Sequence, residues 1–200
     1  EAISPDFQVI PLACEGCGFC AKVCPVQAIS MHPRSSGHWF QGRFAEGQTM
    51  FYADLRPGEE NSGKLVAQVK TAARKTAAID QCSLIIADGP PGIGCAVISS
   101  MVEVDLVVLV TEPSRSGFHD LERVYQLMQL RGIKGIVIIN KYDLNPVIGR
   151  EIEDWAAENG IALAGKIPFS SLIAESIAEA QIPAVHPEIR EMLFPVWENI

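Results

Sequence analysis

Much is scarce in this 200-residue sequence, and each shortage removes a class of function. No apolar run approaches the ~18–20 residues that a membrane-spanning helix needs, the longest candidate being Leu106–Val110 with its neighbours. Positive charge is in deficit. With 16 Lys and Arg against 24 Asp and Glu, the formal charge of −8 argues against non-specific nucleic-acid binding. The histidines His32, His38, His119 and His186 show no ligand spacing. Six cysteines, four of them crowded together near the start, do not suit a disulfide scaffold and point instead to a reducing, cytoplasmic setting. The other two, Cys82 and Cys95, read as small buried hydrophobes.

The four crowded cysteines carry the clearest chemistry. Cys14, Cys17, Cys20 and Cys24 stand in the run Cys14-Glu15-Gly16-Cys17-Gly18-Phe19-Cys20-Ala21-Lys22-Val23-Cys24-Pro25, spaced as C-x2-C-x2-C-x3-C-P. This is the spacing of a bacterial [4Fe–4S] ferredoxin half-motif, in which the Cys-Pro cysteine usually serves a different cluster from the other three. That cysteine is expected one turn into a short helix. Val26-Gln27-Ala28-Ile29 continues the ferredoxin pattern. Zinc is an alternative, although zinc sites generally add a second, well-separated cysteine pair. Disulfides or free thiols are a third reading.

Hydrophobic residues make up 48% of the chain and the mean hydropathy is positive, as in α/β proteins whose strands are covered on both faces. Residues 1–31 form the cysteine module and residues 32–200 a second domain. A hairpin is predicted from strands His38–Phe44 and Gln48–Asp54 about a turn at Ala45-Glu46-Gly47, closed by a loop over Pro57–Ser62. Leu65, Val66, Val69, Ala72, Ala73 and Ala77 recur at helical spacing, predicting an amphipathic helix over Lys64–Ile79. Strands then follow at Ser83–Ala87, Leu106–Thr111, Gly135–Asn140 and Ala162–Lys166, with helices at His119–Leu130, Val147–Glu158 and Ser170–Ala180. Such alternation predicts a parallel sheet with helices on both faces, and ligands bind such sheets at the carboxyl ends of the strands.

Polar residues occur at each of those ends. After Ser83–Ala87 comes Asp88-Gly89-Pro90-Pro91-Gly92-Ile93-Gly94-Cys95, resembling a Walker-B and switch-II segment. There the Asp88 carboxylate would hold Mg²⁺ through water, while glycines such as Gly92 let the loop follow the γ-phosphate. The plainer alternative is a tight turn with Asp88 capping a helix. Asn140, opening Asn140-Lys141-Tyr142-Asp143, has a carboxamide able to donate to and accept from a nucleotide base; a turn or capping role is the alternative. Thr111-Glu112-Pro113-Ser114-Arg115-Ser116-Gly117 and Ile167-Pro168-Phe169 end the other strands and are candidates to line the same crevice.

Together these segments, with Phe118-His119-Asp120-Leu121 and Ile139, resemble the MinD/ParA-type P-loop ATPases. The cysteine run ahead of them matches the branch of that superfamily with an inserted ferredoxin domain. The resemblance covers nearly the whole chain. It implies an ATP-binding, ATP-hydrolysing fold with Asp88 near Mg²⁺, Asn140 at adenine and the backbone around Pro168 beside the base. It also implies a redox or Fe–S partner protein and a nucleotide-dependent homodimer. The family's leading strand and glycine-rich phosphate loop have no counterpart here, and the chain opens at Glu1, so it is expected to be an N-terminally truncated piece. A formal match to G-x4-G-K ahead of the strand-end segments is Gly58–Lys64. It is rejected, because Leu65 stands where a Mg²⁺-binding hydroxyl belongs, and Glu59 and Glu60 would repel phosphate. Ser62 is better read as a helix cap. By the same resemblance a partner motif is missing, so Cys14, Cys17 and Cys20 would serve one cluster and Cys24 another. Three functions compete: an ATPase coupled to a 4Fe–4S module, a non-catalytic Fe–S carrier or scaffold, and a GTPase reading guanine through Asn140-Lys141-Tyr142-Asp143.

Overall fold

The structure, a computed structural model, describes residues 2–33, 35–43, 47–57, 59 and 63–200. Arg34, Phe44, the Ala45-Glu46 part of the expected turn, Gly58, and the proposed Ser62 cap lie outside the described residues. The chain divides into two compact units, Glu1–Ser100 and Met101–Ile200.

In the first unit, Ile3 and Val9 form an isolated antiparallel bridge, and a single 3₁₀ turn spans Pro11–Ala13. Helix α1 is Phe19–Val23. The expected hairpin is present as β1 (Gly37–Arg43) and β2 (Thr49–Leu55), paired antiparallel with Phe40 opposite Tyr52. Their rings stack with centroids 5.2 Å apart, a cross-strand aromatic pair of the kind that pins register. Helix α2 (Gly63–Ile79) follows the predicted apolar spacing and packs against β2. Lys70 on α2 donates to the carbonyls of Ser99 (3.4 Å) and Ser100 (2.5 Å) in α3 (Cys95–Met101), a short helix not anticipated from the sequence. A cation there meets the negative end of the helix dipole. Partial burial lowers the Lys70 pKa, helped by the charge of Arg74.

The expected strand Ser83–Ala87 does not form. A strand exists through its ladder bonds, and among the described residues no backbone pairs with this segment. Its apolar side chains stay exposed, Ile86 at 74%. Cys82 and Cys95, which flank it, are exposed too, contrary to the burial expected of them.

The second unit holds most of the core. Strands β3 (Val107–Thr111), β4 (Gly135–Asn140) and β5 (Ala162–Ile167) form a parallel sheet in the order β3-β4-β5. Helices α4 (Arg115–Arg131) and α5 (Pro146–Glu158) pack on β3 and β5 respectively, burying Leu121, Met128, Ile148, Ile152 and Ala156. The Trp155 ring meets Tyr125 edge-on at 5.1 Å and Phe118 at 5.9 Å, fastening α4 to α5. After α6 (Ser171–Ala178), helix α7 (Pro187–Glu198) packs on β5, where Val196 joins Ile138 and Ala164. The sequence reading missed α7, because the Pro195 inside it breaks the expected helical pattern.

Val137 pairs with Leu163 and Ile138 with Gly165, so Ala164 is the extra residue of a β-bulge. Asn199, at the end of α7, donates to the Ala164 carbonyl at 2.8 Å. On β3 the odd positions Leu109 and Thr111 are buried, whereas Val108 and Val110 are exposed, and β3 pairs with β4 alone among the described residues. No helix among the described residues is long and apolar enough to cross a membrane.

Candidate cluster module and strand-end site

The cysteine run bends where its glycines allow. Gly16 (φ 64°) and Gly18 (φ 75°) both take the left-handed conformation, and Gly18 caps the start of α1. Cys20 lies within α1 and Cys24 follows its last residue. This reverses the expected placing, in which the Cys-Pro cysteine sat inside a helix. The Ala28 N–H reaches the Cys24 Sγ at 3.4 Å, and this contact, with the N–H groups of Val26 and Gln27, lowers the Cys24 pKa. Backbone donors aimed at a sulfur favour its thiolate, the form that binds metal.

All four thiols are free, Cys14 and Cys17 exposed, Cys20 and Cys24 half-buried. Among the described residues no three His, Cys, Asp or Glu side chains converge closely enough to hold a metal ion. The donor chemistry nevertheless fits an iron–sulfur cluster, since soft thiolates are its ligands. Packing points the same way. No described residue from 2 to 33 is buried, so this module has little hydrophobic core of its own. Modules this small generally depend on a metal or cross-link.

Asp88 and Gly92 lie in the irregular stretch ahead of α3, with Asp88 exposed and Gly92 left-handed at φ 86°. Asp88 does not cap α3, which begins at Cys95.

The second unit brings the remaining strand-end residues together. At the end of β3, Thr111 Oγ1 donates to the Gly117 carbonyl at 3.0 Å, and Ser114 caps α4 by accepting from the Gly117 N–H at 3.0 Å. That cap starts α4 four residues before the position predicted from apolar spacing. A Cβ on Gly117 would lie 2.6 Å from the Glu112 carbonyl oxygen, so the turn closes only on glycine. Arg115 reaches Glu151 on α5 at 2.6 and 3.2 Å.

Asn140 ends β4 and pairs with Ile167, placing it beside Pro168 at the carboxyl end of the adjacent strand. Lys141 turns the chain in the left-handed conformation (φ 54°), leading into a 3₁₀ turn over Tyr142–Leu144. Its ammonium pairs with Glu112 at 2.6 Å, and Asp143 Oδ1 accepts the Phe169 N–H at 2.7 Å. Ends of three neighbouring strands are thereby tied: β3 to β4 through Glu112–Lys141, and β4 to β5 through Asp143–Phe169. The sequence reading had no signal for either tie, because its patterns address local spacing and these pairs are far apart in the chain.

Known proteins agree with both halves of this description. Residues 7–30 match the family of 4Fe-4S binding domains. Two archaeal structures share the fold. The cell division ATPase MinD of Pyrococcus furiosus superposes with a TM-score of 0.53 at 20% identity, over 69% of this chain and 57% of that one. The septum site-determining protein MinD of Pyrococcus horikoshii, complexed with Mg-ADP, gives 0.53 at 18% identity, over 68% and 55%. This chain has the MinD/ParA-type fold, with a 4Fe–4S binding domain. An uncharacterized protein of Methanocaldococcus jannaschii is 34% identical over 142 residues, 71% of this chain. The chain spans 49% of that relative's length. A parallel sheet flanked by helices is the fold class that the sequence reading expected, although α7 was not among its helices and Ser83–Ala87 does not join the sheet.

Proposed function

We propose that this chain belongs to a nucleotide-dependent iron–sulfur protein, in which a MinD-type ATP-binding domain is coupled to a 4Fe–4S module for electron transfer or cluster handling. The observation that carries the reading is the presence, in one chain, of a 4Fe-4S binding domain and a MinD-type sheet. In this reading residues 1–31 are the cluster module and residues 32–200 the nucleotide domain. Cys14, Cys17, Cys20 and Cys24 would hold a cluster, which supplies one-electron transfer when bound. The backbone donors around Cys24 favour its thiolate. Asp88 is the Mg²⁺ residue, Gly92 belongs to the switch, and Asn140 with the Pro168 backbone faces adenine.

Phosphate binding is the weak point of the residues at hand. No segment of the sequence offers a G-x4-G-K-[ST] loop, so tight ATP binding is not expected of this chain alone. Coupling would run through the Asp88–Cys95 segment, whose conformation would follow nucleotide state. A redox or Fe–S protein is the expected partner, alongside a nucleotide-dependent homodimer.

The test is anaerobic reconstitution, with iron, zinc and acid-labile sulfide counted per chain and an EPR spectrum of the reduced sample. About 4 Fe and 4 sulfides, the content of one cubane, would support a cluster held by these four cysteines. Stoichiometric zinc without sulfide would overturn the iron–sulfur assignment.

A further inference from the structure

The segment Asn140-Lys141-Tyr142-Asp143 has the form of the guanine-reading N-K-x-D motif, in which the Asp carboxylate accepts the ring and exocyclic N–H groups of the base. Both charged members of the segment are already engaged. Asp143 Oδ1 holds the Phe169 N–H at 2.7 Å, within the short range of charge-assisted bonds. The Lys141 ammonium sits 2.6 Å from Glu112. The local backbone supports this arrangement. Lys141 in its left-handed turn lets Leu144 N–H close on the Lys141 carbonyl at 3.1 Å, and Asn145 then caps α5 by accepting from Ile148 N–H at 3.2 Å. Asp143 thus lies on a hydrogen-bonded turn between β4 and α5.

We propose that Asp143 is a positioning residue that latches the loop after β5 onto the end of β4, and that the base is read by Asn140 and the backbone around Pro168 without it. The proposal rests on the nucleotide reading only for what the latch positions. The latch itself is a property of the fold. Because Asn140 pairs with Ile167, the Asp143–Phe169 bond fixes the backbone two residues beyond that pair. Pro168 lies between them and donates no N–H, so Phe169 offers the first backbone donor past β5. Glu112–Lys141 adds a second tie on the β3 side. With Oδ1 committed to the Phe169 N–H, Asp143 is assigned to the backbone rather than to choosing between six-amino and six-oxo purines.

Amide hydrogen exchange and nucleotide titration, on the full chain, test this in two arms. Phe169 is 50% exposed, so its amide should owe its protection to the bond with Asp143 rather than to burial. Asp143→Ala should speed Phe169 exchange about ten-fold or more, whereas Asp143→Asn, which keeps an acceptor oxygen, should change it by less than about three-fold. Exchange at Val137 and Ile139 should stay unchanged in both variants, verifying the fold. Unaltered Phe169 exchange in Asp143→Ala would overturn the latch. In the second arm, AMP and GMP are titrated to millimolar concentration while amide NMR shifts of residues 140, 167 and 169 are followed. The AMP-to-GMP preference should be the same in the natural chain and in Asp143→Asn. Selective loss of GMP binding in Asp143→Asn would make Asp143 a base reader and refute the proposal. If neither nucleotide moves these signals, the nucleotide reading of the strand ends fails, and the latch stands or falls on exchange alone.

Discussion

Replacing Gly117 by alanine should destabilise this protein, although helix propensity alone predicts the reverse. Gly117 lies in the first turn of α4, where alanine ordinarily gains up to about 1 kcal/mol over glycine. Here the added Cβ would stand 2.6 Å from the Glu112 carbonyl oxygen, 3.1 Å from Ser114 Oγ and 3.2 Å from Thr111 Oγ1. The first of these is backbone, so it cannot swing aside as the tip of a long side chain would. Opening the turn strains the bonds that define it, Thr111 Oγ1 to the Gly117 carbonyl and Gly117 N–H to Ser114 Oγ, both 3.0 Å. Overpacking of this kind costs about 1–3 kcal/mol and one lost hydrogen bond about 1 kcal/mol. After subtracting the propensity gain, a net loss of about 1–3 kcal/mol remains. Urea unfolding followed by far-UV circular dichroism, with the slope checked for constancy, measures it. A midpoint raised by the substitution would refute the reasoning, because it would show that the turn relaxes without cost and that propensity wins.

Two other substitutions follow from contacts elsewhere in the fold. Asn199→Ala removes the donor to the Ala164 carbonyl, leaves the β-bulge acceptor without it, and should cost about 1–3 kcal/mol in urea unfolding. Unchanged stability there would mean that water replaces the amide. Lys70→Met concerns pH. Burial lowers the Lys70 pKa, so between that lowered value and the ordinary lysine value the unfolded chain binds more protons. The contribution of Lys70 to stability therefore rises with pH across that window. The variant should show a shallower rise of unfolding midpoint with alkaline pH than the natural chain, and an identical profile would exclude the effect.

What was legible in the sequence was local. The cysteine spacing announces its chemistry within one short run, and the apolar runs of β3, β4 and β5 with amphipathic helices between them yield the parallel sheet. The strand-end rule puts Asn140 and Pro168 at the same edge of the sheet; that β4 and β5 are neighbours is seen in the structure. Ser83–Ala87 shows the limit of such reading. Its Leu-Ile-Ile core has the composition of a buried strand, yet a strand also requires a paired neighbour, which composition does not record. The Ala164 bulge, the Glu112–Lys141 pair and the Asp143–Phe169 bond were equally hidden, because each joins residues through the sheet rather than along the chain. The start of α4 was missed for a smaller reason. Ser114 lies in a polar strand-end stretch read as lining the crevice, and its capping role shows only when its hydroxyl meets the Gly117 N–H.

Among the described residues β3 pairs on one side only, and this bears on how the protein behaves at concentration. Val-Val-Leu-Val-Thr is short, β-branched, uncharged and free of proline, and Val110 is 61% exposed. Strand edges of this composition invite pairing with another copy, and natural proteins usually guard them with a lysine, a proline or a bulge. In β5 there is such a bulge, and Lys166 lies near its end. Neither device occurs in β3. Crowding during expression or refolding would therefore select for intermolecular strand addition at this edge, making yield and monodispersity sensitive to whatever occupies it.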